Sequence, residues 1–340
     1  MAPIVAAVFQ ASVGVRVRAM MHVPMRALQR LGGLSLACLA VITLSACAWL
    51  DAQQNQLALR PTPGRPAAFA ADGAGLLPGD VRYSVPVPAA GEPPEQLAIW
   101  WLPHANPQAP TLLYLHGTFR NLYQNLAKIN ALREAGFAVL AVDYRGWGDS
   151  SPIKPTEASI QADAAMAWTE LSQRQPDAAR RVIFGHSMGG AVAVSLAAGL
   201  RYPQDFGALA LESTFTRLPD VAAAAGFWGR VAAAFTTLDF NSAAKIGAIR
   251  APILMLHGSA DTTVPVALGR ALRDAAPAGT RWVEVAGGTH SALHNQAREV
   301  YQQAFADLIQ QLPTRAAESA AAPVPASAPA PASAPSATPP

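Results

Sequence analysis

The chain has 340 residues, 51% of them hydrophobic and 14% charged, enough apolar material to bury a sizeable core and too much for a chain disordered throughout. A formal net charge of +3 without any Lys/Arg cluster argues against a nucleic-acid partner. Two cysteines exclude a disulfide-rich scaffold.

At the N-terminus, Arg26 and Arg30 precede the uncharged run "LGGLSLACLAVITLSACAWL", residues 31–50. A positive head followed by an apolar segment is the pattern of an export signal. Within it, "LSAC", residues 44–47, resembles the bacterial lipobox. That resemblance implies a signal peptide over residues 1–46, cleavage before Cys47 and lipidation of Cys47. Met25 would start a signal of ordinary length. The alternative is an uncleaved transmembrane anchor, since about 20 apolar residues span a bilayer. Either way the positive-inside asymmetry puts the remainder outside the cytoplasm. Ala48, where some sorted lipoproteins carry an aspartate, implies the outer membrane and a periplasm-facing protein. Two or more acyl chains would hold it there stably. Four of the 25 Lys and Arg residues, Arg16, Arg18, Arg26 and Arg30, precede Cys47 and none of the 22 Asp and Glu residues does, which leaves the remainder close to neutral. Cys38 would leave with the signal, so no pair remains for a disulfide.

Residues 47–78 include the Pro/Gly-rich "LRPTPGRPAAFAADG" and read as a tether, with wrapping around the domain as the alternative. Next come "RYSVPV" and "QLAIWWLP", an antiparallel pair at one sheet edge. Apolar β-rich runs then alternate with helical patterns: "TLLYLHG", "NLAKINALREAG", "FAVLAVDYRG", "SIQADAAMAWTELSQ", "RVIFGHS", "MGGAVAVSLAAGL" and "GALALEST". "PILMLHGSAD", "VALGRALRDA", "RWVEVAGGTH" and "AREVYQQAFADLIQQL" continue the alternation. Nearly continuous Val/Leu/Ile strands indicate burial on both faces, so the pattern predicts an α/β domain over residues 79–314, a mostly parallel sheet with helices on both faces. Between Glu212 and Pro252 there is room only for a crossover and a small cap, whose apolar rim would be Phe227, Trp228 and Phe235 unless that helix face is buried on the sheet. Residues 315–340 end in "AAPVPASAPAPASAPSATPP" and read as a disordered Ala/Pro/Ser-rich tail.

Ligands of open parallel sheets sit beyond the carboxyl ends of the strands. There, "VIFGHSMGG" places Ser187 between a strand and a helix, with Gly185 and Gly189 allowing a sharp corner. A serine hydroxyl needs a base, and the base needs an acid to hold its tautomer. "PILMLHGSADTTVP" supplies Asp261 and "RWVEVAGGTHS" supplies His290, each just past a strand, in the order Ser, Asp, His. The backbone N–H groups of Thr118, after "TLLYLHG", and of Met188 would form an oxyanion hole. Glu212 rivals Asp261 as acid, His294 rivals His290 as base, and Asp261 also suits an Asx-turn. His116, His186 and His257 read as local structural residues, Asp143 and Asp149 as turn residues, and Trp147 and Phe119 as packing or as walls of an acyl pocket. No metal spacing and no cofactor motif emerges.

These motifs together resemble the α/β-hydrolase fold and, more narrowly, its Bem46/ABHD13-like branch. "HGTFRN" is similar to that branch's HGNAGN, "VDYRGWGDS" to its YRGYG-S, "FGHSMGGAVAVSLAA" to its nucleophile elbow and "LESTFTRLPDVA" to its LENTF segment, with "HGSADTTVP" and "GGTHS" completing the set. The resemblance implies Ser187 as nucleophile, Asp261 as acid, His290 as base, and Thr118 with Met188 as oxyanion donors. Thr118 stands where the branch usually has Asn. The expected activity is that of a lipid-anchored serine hydrolase acting on a small-molecule acyl substrate, a carboxylesterase first, with peptidase or amidase chemistry or a non-catalytic binding lipoprotein as alternatives.

Overall fold

A computed structural model of the chain describes residues 58–70, 75–88 and 94–313, together with residues 53, 55 and 56. The expected signal peptide over residues 1–46, the lipidation site Cys47 and the tail over residues 315–340 lie outside the described residues. The chain divides after Gln54, and the sheet with its helices belongs to the unit that begins at Asn55.

In chain order the elements are β1 (Val81–Val87), β2 (Glu95–Leu102), β3 (Thr111–Leu115), α1 (Leu122–Glu134), β4 (Ala138–Asp143), α2 (Glu157–Arg174), β5 (Arg181–His186), α3 (Met188–Ala198) and β6 (Ala208–Glu212). They continue with α4 (Leu218–Ala224), α5 (Phe227–Phe235), α6 (Ala243–Ile246), β7 (Ile253–Gly258), α7 (Val266–Ala275), β8 (Arg281–Val285), α8 (Leu293–Gln296) and α9 (Arg298–Gln310). The sheet order is β1-β2-β4-β3-β5-β6-β7-β8. β1 and β2 form the expected antiparallel pair, β2 also runs antiparallel to β4, and the remaining neighbours are parallel.

Strand side chains alternate between faces, and here both faces are apolar. Leu113 and Leu115 of β3, Leu140 and Val142 of β4, and Leu209 and Leu211 of β6 enter one core cluster with Ile160 and Leu171 of α2 and Val192 of α3. Their neighbours Leu112, Tyr114, Val139, Ala141, Ala208 and Ala210 enter the other, with Ile129 and Leu132 of α1 and Tyr301, Phe305 and Leu308 of α9. Each fully buried Leu, Ile or Val side chain among them contributes roughly 1.5–3 kcal/mol. Helix α3 is apolar almost all round and accordingly almost wholly buried.

This topology creates the site. β4 and β5 flank β3 on opposite sides. The loop leaving β3 therefore leads to α1 on one face and the loop leaving β5 to α3 on the other, which opens a crevice at the carboxyl ends between them. The buried side chain of Asp143, at the end of β4, accepts the first N–H of α1, from Leu122, at 2.9 Å.

The described part of residues 47–78, read from sequence as a tether with wrapping around the domain as the alternative, lies against the domain. Leu59 is buried in the core. Gly148 N–H donates to Thr62 O at 3.0 Å and Gly64 N–H to Gly148 O at 2.7 Å. The Asn121 side chain donates to Thr62 O at 3.2 Å and to Gly64 O at 3.0 Å, and the Arg60 guanidinium stacks on Phe119 at 4.8 Å. A Pro/Gly-rich strand of this kind exposes unpaired backbone groups, and the loops after β3 and β4 satisfy them.

Candidate active site

Ser187 joins β5 to α3 with φ 56° and ψ −124°. Such a conformation costs on the order of 1–3 kcal/mol and survives only where the surroundings hold it. They do so through three bonds: Ser187 N–H donates to Glu212 O at 2.9 Å, while Ser187 O accepts from Gly190 N–H at 2.9 Å and from Thr214 Oγ1 at 2.9 Å. The corner also demands its two glycines. A Cβ on Gly185 would stand 2.1 Å from Gly189 O, and one on Gly189 would stand 2.1 Å from Leu115 O.

His290 follows β8 and reaches back to this corner. Its Nε2 lies 3.0 Å from Ser187 Oγ and its Nδ1 lies 2.7 Å from Asp261 Oδ2. Because Asp261 accepts at Nδ1, the proton sits there and Nε2 presents its lone pair to the hydroxyl. Asp261 Oδ1 accepts from Thr263 N–H at 2.9 Å and Val264 N–H at 2.8 Å, so the Asx-turn and the histidine contact coexist on different oxygens. Burial by itself would raise the Asp261 carboxyl, but hydrogen bonds from His257 and His290 and the Val264 N–H hold it well below the ordinary carboxylate range. The buried carboxylate thus stays ionised and can balance an imidazolium on His290.

Two further histidines, read from sequence as local structural residues, touch this arrangement. His186 Nε2 lies 2.9 Å from the carbonyl oxygen of His290. His257 Nε2 lies 2.9 Å from Val264 O and 3.3 Å from Asp261 Oδ2. Both contacts join residues distant in sequence or turn back within a loop, and the only sequence signal for them is position: His186 abuts Ser187, and His257 is the penultimate residue of β7, four residues before Asp261.

Met188 opens α3, so its N–H belongs to the donors that a helix start leaves without an intrahelical partner. Gly117 lies against Ser187: a Cβ there would stand 2.9 Å from Ser187 Cβ. The next residues turn tightly, with Arg120 N–H donating to Thr118 O at 2.9 Å across Phe119, whose φ is 69°. A γ-turn with positive φ is rare and strained. It sits between the sheet and the strap formed by Arg60, Thr62 and Gly64, and it leaves Phe119 exposed and Thr118 partly so.

The rivals fall elsewhere. Glu212 is buried, paired with Lys128 and hydrogen-bonded by Tyr301 Oη at 3.0 Å. Burial pulls Lys128 down, and Glu212 opposes that pull. His294 is buried in α8 beside Tyr301 and is brought down to about 4 by burial. Trp147 is fully buried, with its ring near His116 and Tyr144, and Asp143 caps α1. Asp149 is bonded by Tyr123 and Arg65. Phe227, Trp228 and Phe235 of α5 are exposed, so that face is not packed on the sheet.

Three chain segments thus meet as hydroxyl, imidazole and carboxylate, an arrangement able to pass a proton from Ser187 to His290 while Asp261 offsets the charge. The family model described as "Serine aminopeptidase, S33" matches residues 106–240, a stretch that contains Ser187 and ends before Asp261 and His290. An uncharacterised protein of Mycobacterium tuberculosis is 35% identical over 199 residues, covering 58% of this chain and 68% of that protein. Lysophosphatidylserine lipase ABHD12 of Danio rerio is 32% identical over 58% of this chain and 55% of its own length. Protein bem46 of Schizosaccharomyces pombe is 32% identical over 46% of this chain and 52% of its own length. The matched stretch spans about half of each of the latter two. Among solved structures, the esterase Pf2001 of Pyrococcus furiosus shares the fold with a TM-score of 0.57 at 19% identity, over 74% of this chain and 97% of that one.

Proposed function

Since the chain belongs to the α/β-hydrolase superfamily, in its Bem46-like branch, we propose that it is an exported, lipid-anchored serine hydrolase that cleaves carboxylic esters through an acyl-enzyme. The observation that carries this reading is the pair of contacts on one imidazole, 3.0 Å to Ser187 Oγ and 2.7 Å to Asp261 Oδ2. His290 Nε2 takes the hydroxyl proton as Ser187 Oγ attacks the acyl carbon. The carbonyl oxygen becomes an oxyanion held by the N–H groups of Met188 and Thr118. His290 then returns its proton to the departing alkoxide, leaving the acyl group on Ser187, and water activated by the same imidazole releases it as a carboxylic acid. The description of a relative as a lysophosphatidylserine lipase supports an acyl ester as substrate. Residues 31–50 with the "LSAC" motif support lipidation at Cys47 and an outer-membrane, periplasm-facing location.

A second reading, aminopeptidase or amidase chemistry, is favoured by the description of the matched family model. An aminopeptidase must hold the substrate's ammonium with an acidic group beside the nucleophile. Glu212, the acidic residue whose carbonyl oxygen accepts from Ser187 N–H, has its carboxylate taken by Lys128 and Tyr301. That favours esters. The test is labelling of the full chain by a fluorophosphonate, followed by turnover of chromogenic esters, thioesters and aminoacyl amides. The proposal expects labelling of the wild-type chain, its loss in Ser187→Ala, and turnover of esters ahead of amides. Labelling that survives in Ser187→Ala, or none in the wild-type chain, favours a binding lipoprotein or another nucleophile.

A further inference from the structure

Helix α5 carries the most exposed aromatic side chains among the described residues: Trp228 at 78%, Phe235 at 70% and Phe227 at 64%. At about 3.6 residues per turn, Phe227, Val231, Phe235 and Trp228 fall within an arc of roughly 100°. Gly229 lies on the opposite side and seats the helix on α4, where an added Cβ would stand 1.9 Å from Ala222 O. The apolar stripe therefore points away from the rest of the domain. It is also nearly free of charge, since Arg230, on the flank of the stripe, is the only charged residue between Val221 and Leu238.

We propose that this face of α5 docks on the surface of a phospholipid bilayer and presents the active site to acyl esters resident there. The proposal rests on the reading of the chain as a lipid-anchored serine hydrolase and adds to it the surface that meets the membrane. Three lines point to lipid rather than to a second protein. Full burial of three aromatic side chains removes about 450–750 Å², less than the roughly 800 Å² per partner that a stable protein interface uses. A stripe of Trp, Phe and Val flanked by one arginine and no carboxylate matches the acyl boundary and the anionic headgroups of a bilayer. The apolar run of residues 31–50 with its "LSAC" motif also ties the chain to a membrane, so α5 would add a second, weaker contact to an anchored protein. The position suits the chemistry as well. Thr214, whose hydroxyl donates to Ser187 O at 2.9 Å, precedes the start of α4 at Leu218 by only a few residues, so α4 and α5 hang from the carboxyl edge of the sheet where Ser187 lies.

The test uses the full chain in phosphatidylcholine–phosphatidylglycerol vesicles, comparing wild type with the triple variant Phe227→Ser, Trp228→Ser, Phe235→Ser. Two substrates are followed, a long-chain monoacyl phosphatidylglycerol held in the vesicles and water-soluble p-nitrophenyl acetate. The variant is expected to lose at least about tenfold in turnover of the vesicle-held ester and to keep its rate on the soluble one; a variant that hydrolyses the vesicle-held ester at the measurable rate of the wild type overturns the proposal. Quenching of Trp228 by lipids brominated on their acyl chains, measured as the difference between wild type and Trp228→Phe, reads docking without any turnover. Quenching supports the proposal even if the hydrolase reading fails. Its absence, whether because water, a second copy or another segment of the chain meets the helix, overturns it.

Discussion

His186 Nε2 lies 2.9 Å from the main-chain oxygen of His290, so the residue before the corner serine holds the backbone of the residue whose ring meets that serine. Burial pulls His186 well below the usual range, aided by the nearby Lys128 and His290, and the ring is neutral. Its Nε2 is then an N–H that donates to the carbonyl. The same imidazole stacks obliquely on the His290 ring at 4.9 Å between centroids.

Removing that donor should loosen the loop after β8 while leaving the sheet intact. His186→Ala is expected to lower kcat/KM by about ten- to a hundredfold, the range in which small displacements of catalytic groups are felt, with little change in KM. Fluorophosphonate labelling should slow in parallel. A variant with wild-type kcat would show that the contact has no positioning role.

Asp261 and Glu212 separate in kind. Asp261→Asn should lose on the order of 10⁴ in turnover, as in other triads where the wrong tautomer results, and should fold normally. Glu212→Gln leaves Lys128 buried without its counter-charge and is expected to cost about 3–5 kcal/mol of stability with a smaller effect on kcat. Urea unfolding and steady-state kinetics on both variants check the pair. Reversed outcomes would assign the acid to Glu212.

The buried pair behind the loop after β3 predicts a pH-dependent stability. His116 is brought down to about 4 by burial, opposed by the Gly117 carbonyl, and Asp143 is pushed up to about 8 by burial, opposed by the Leu122 N–H. The pair is therefore neutral at pH 7. Between the unfolded values of about 3.9 and 6.5 the two groups act in opposite senses. Above about 6.5 only Asp143 differs between the states. There the folded chain keeps a proton that the unfolded chain has lost, so stability falls as pH rises towards 8, by about 1.4 kcal/mol per unit at most. Asp143→Asn should remove that decline when unfolding free energies are compared across this range. Parallel profiles for the two proteins would contradict it.

Gly117→Ala tests the oxyanion loop. The new Cβ would stand 2.9 Å from Ser187 Cβ, closer than real Cβ atoms approach, so the loop or the Ser187 corner must shift. Turnover is expected to fall by about 10²–10³, the scale of losing one oxyanion donor, while the thermal midpoint moves by a few degrees at most. A variant that loses stability but keeps its kcat would place the oxyanion donors elsewhere.

The strands were legible because β3, β4, β6 and β7 carry apolar side chains on both faces, which leaves little choice but the interior of a parallel sheet. The placing of Ser187, Asp261 and His290 near one another has a related reason: Ser187 directly follows β5, Asp261 and His290 lie in the loops that leave β7 and β8, and carboxyl ends of parallel strands converge. The strap from Leu59 to Gly64 was legible only as the alternative to a free tether. Its bonds run from main-chain groups to Gly148 and Asn121, and backbone pairing across such a separation leaves no side-chain pattern to read. Helix α5 shows the opposite limit. Phe227, Trp228 and Phe235 read as an apolar rim and are exposed, but apolar composition describes a face and not what covers it.

The mechanism depends most on an acyl group passing through Ser187. The direct measurement is the mass of the peptide over residues 182–201, which contains Ser187, after acid quenching of the full chain during turnover of a p-nitrophenyl ester. The expected result is one acyl group per molecule on Ser187, formed in a burst and absent from Ser187→Ala. Turnover without any such adduct, or with the acyl group on a different residue, would contradict it.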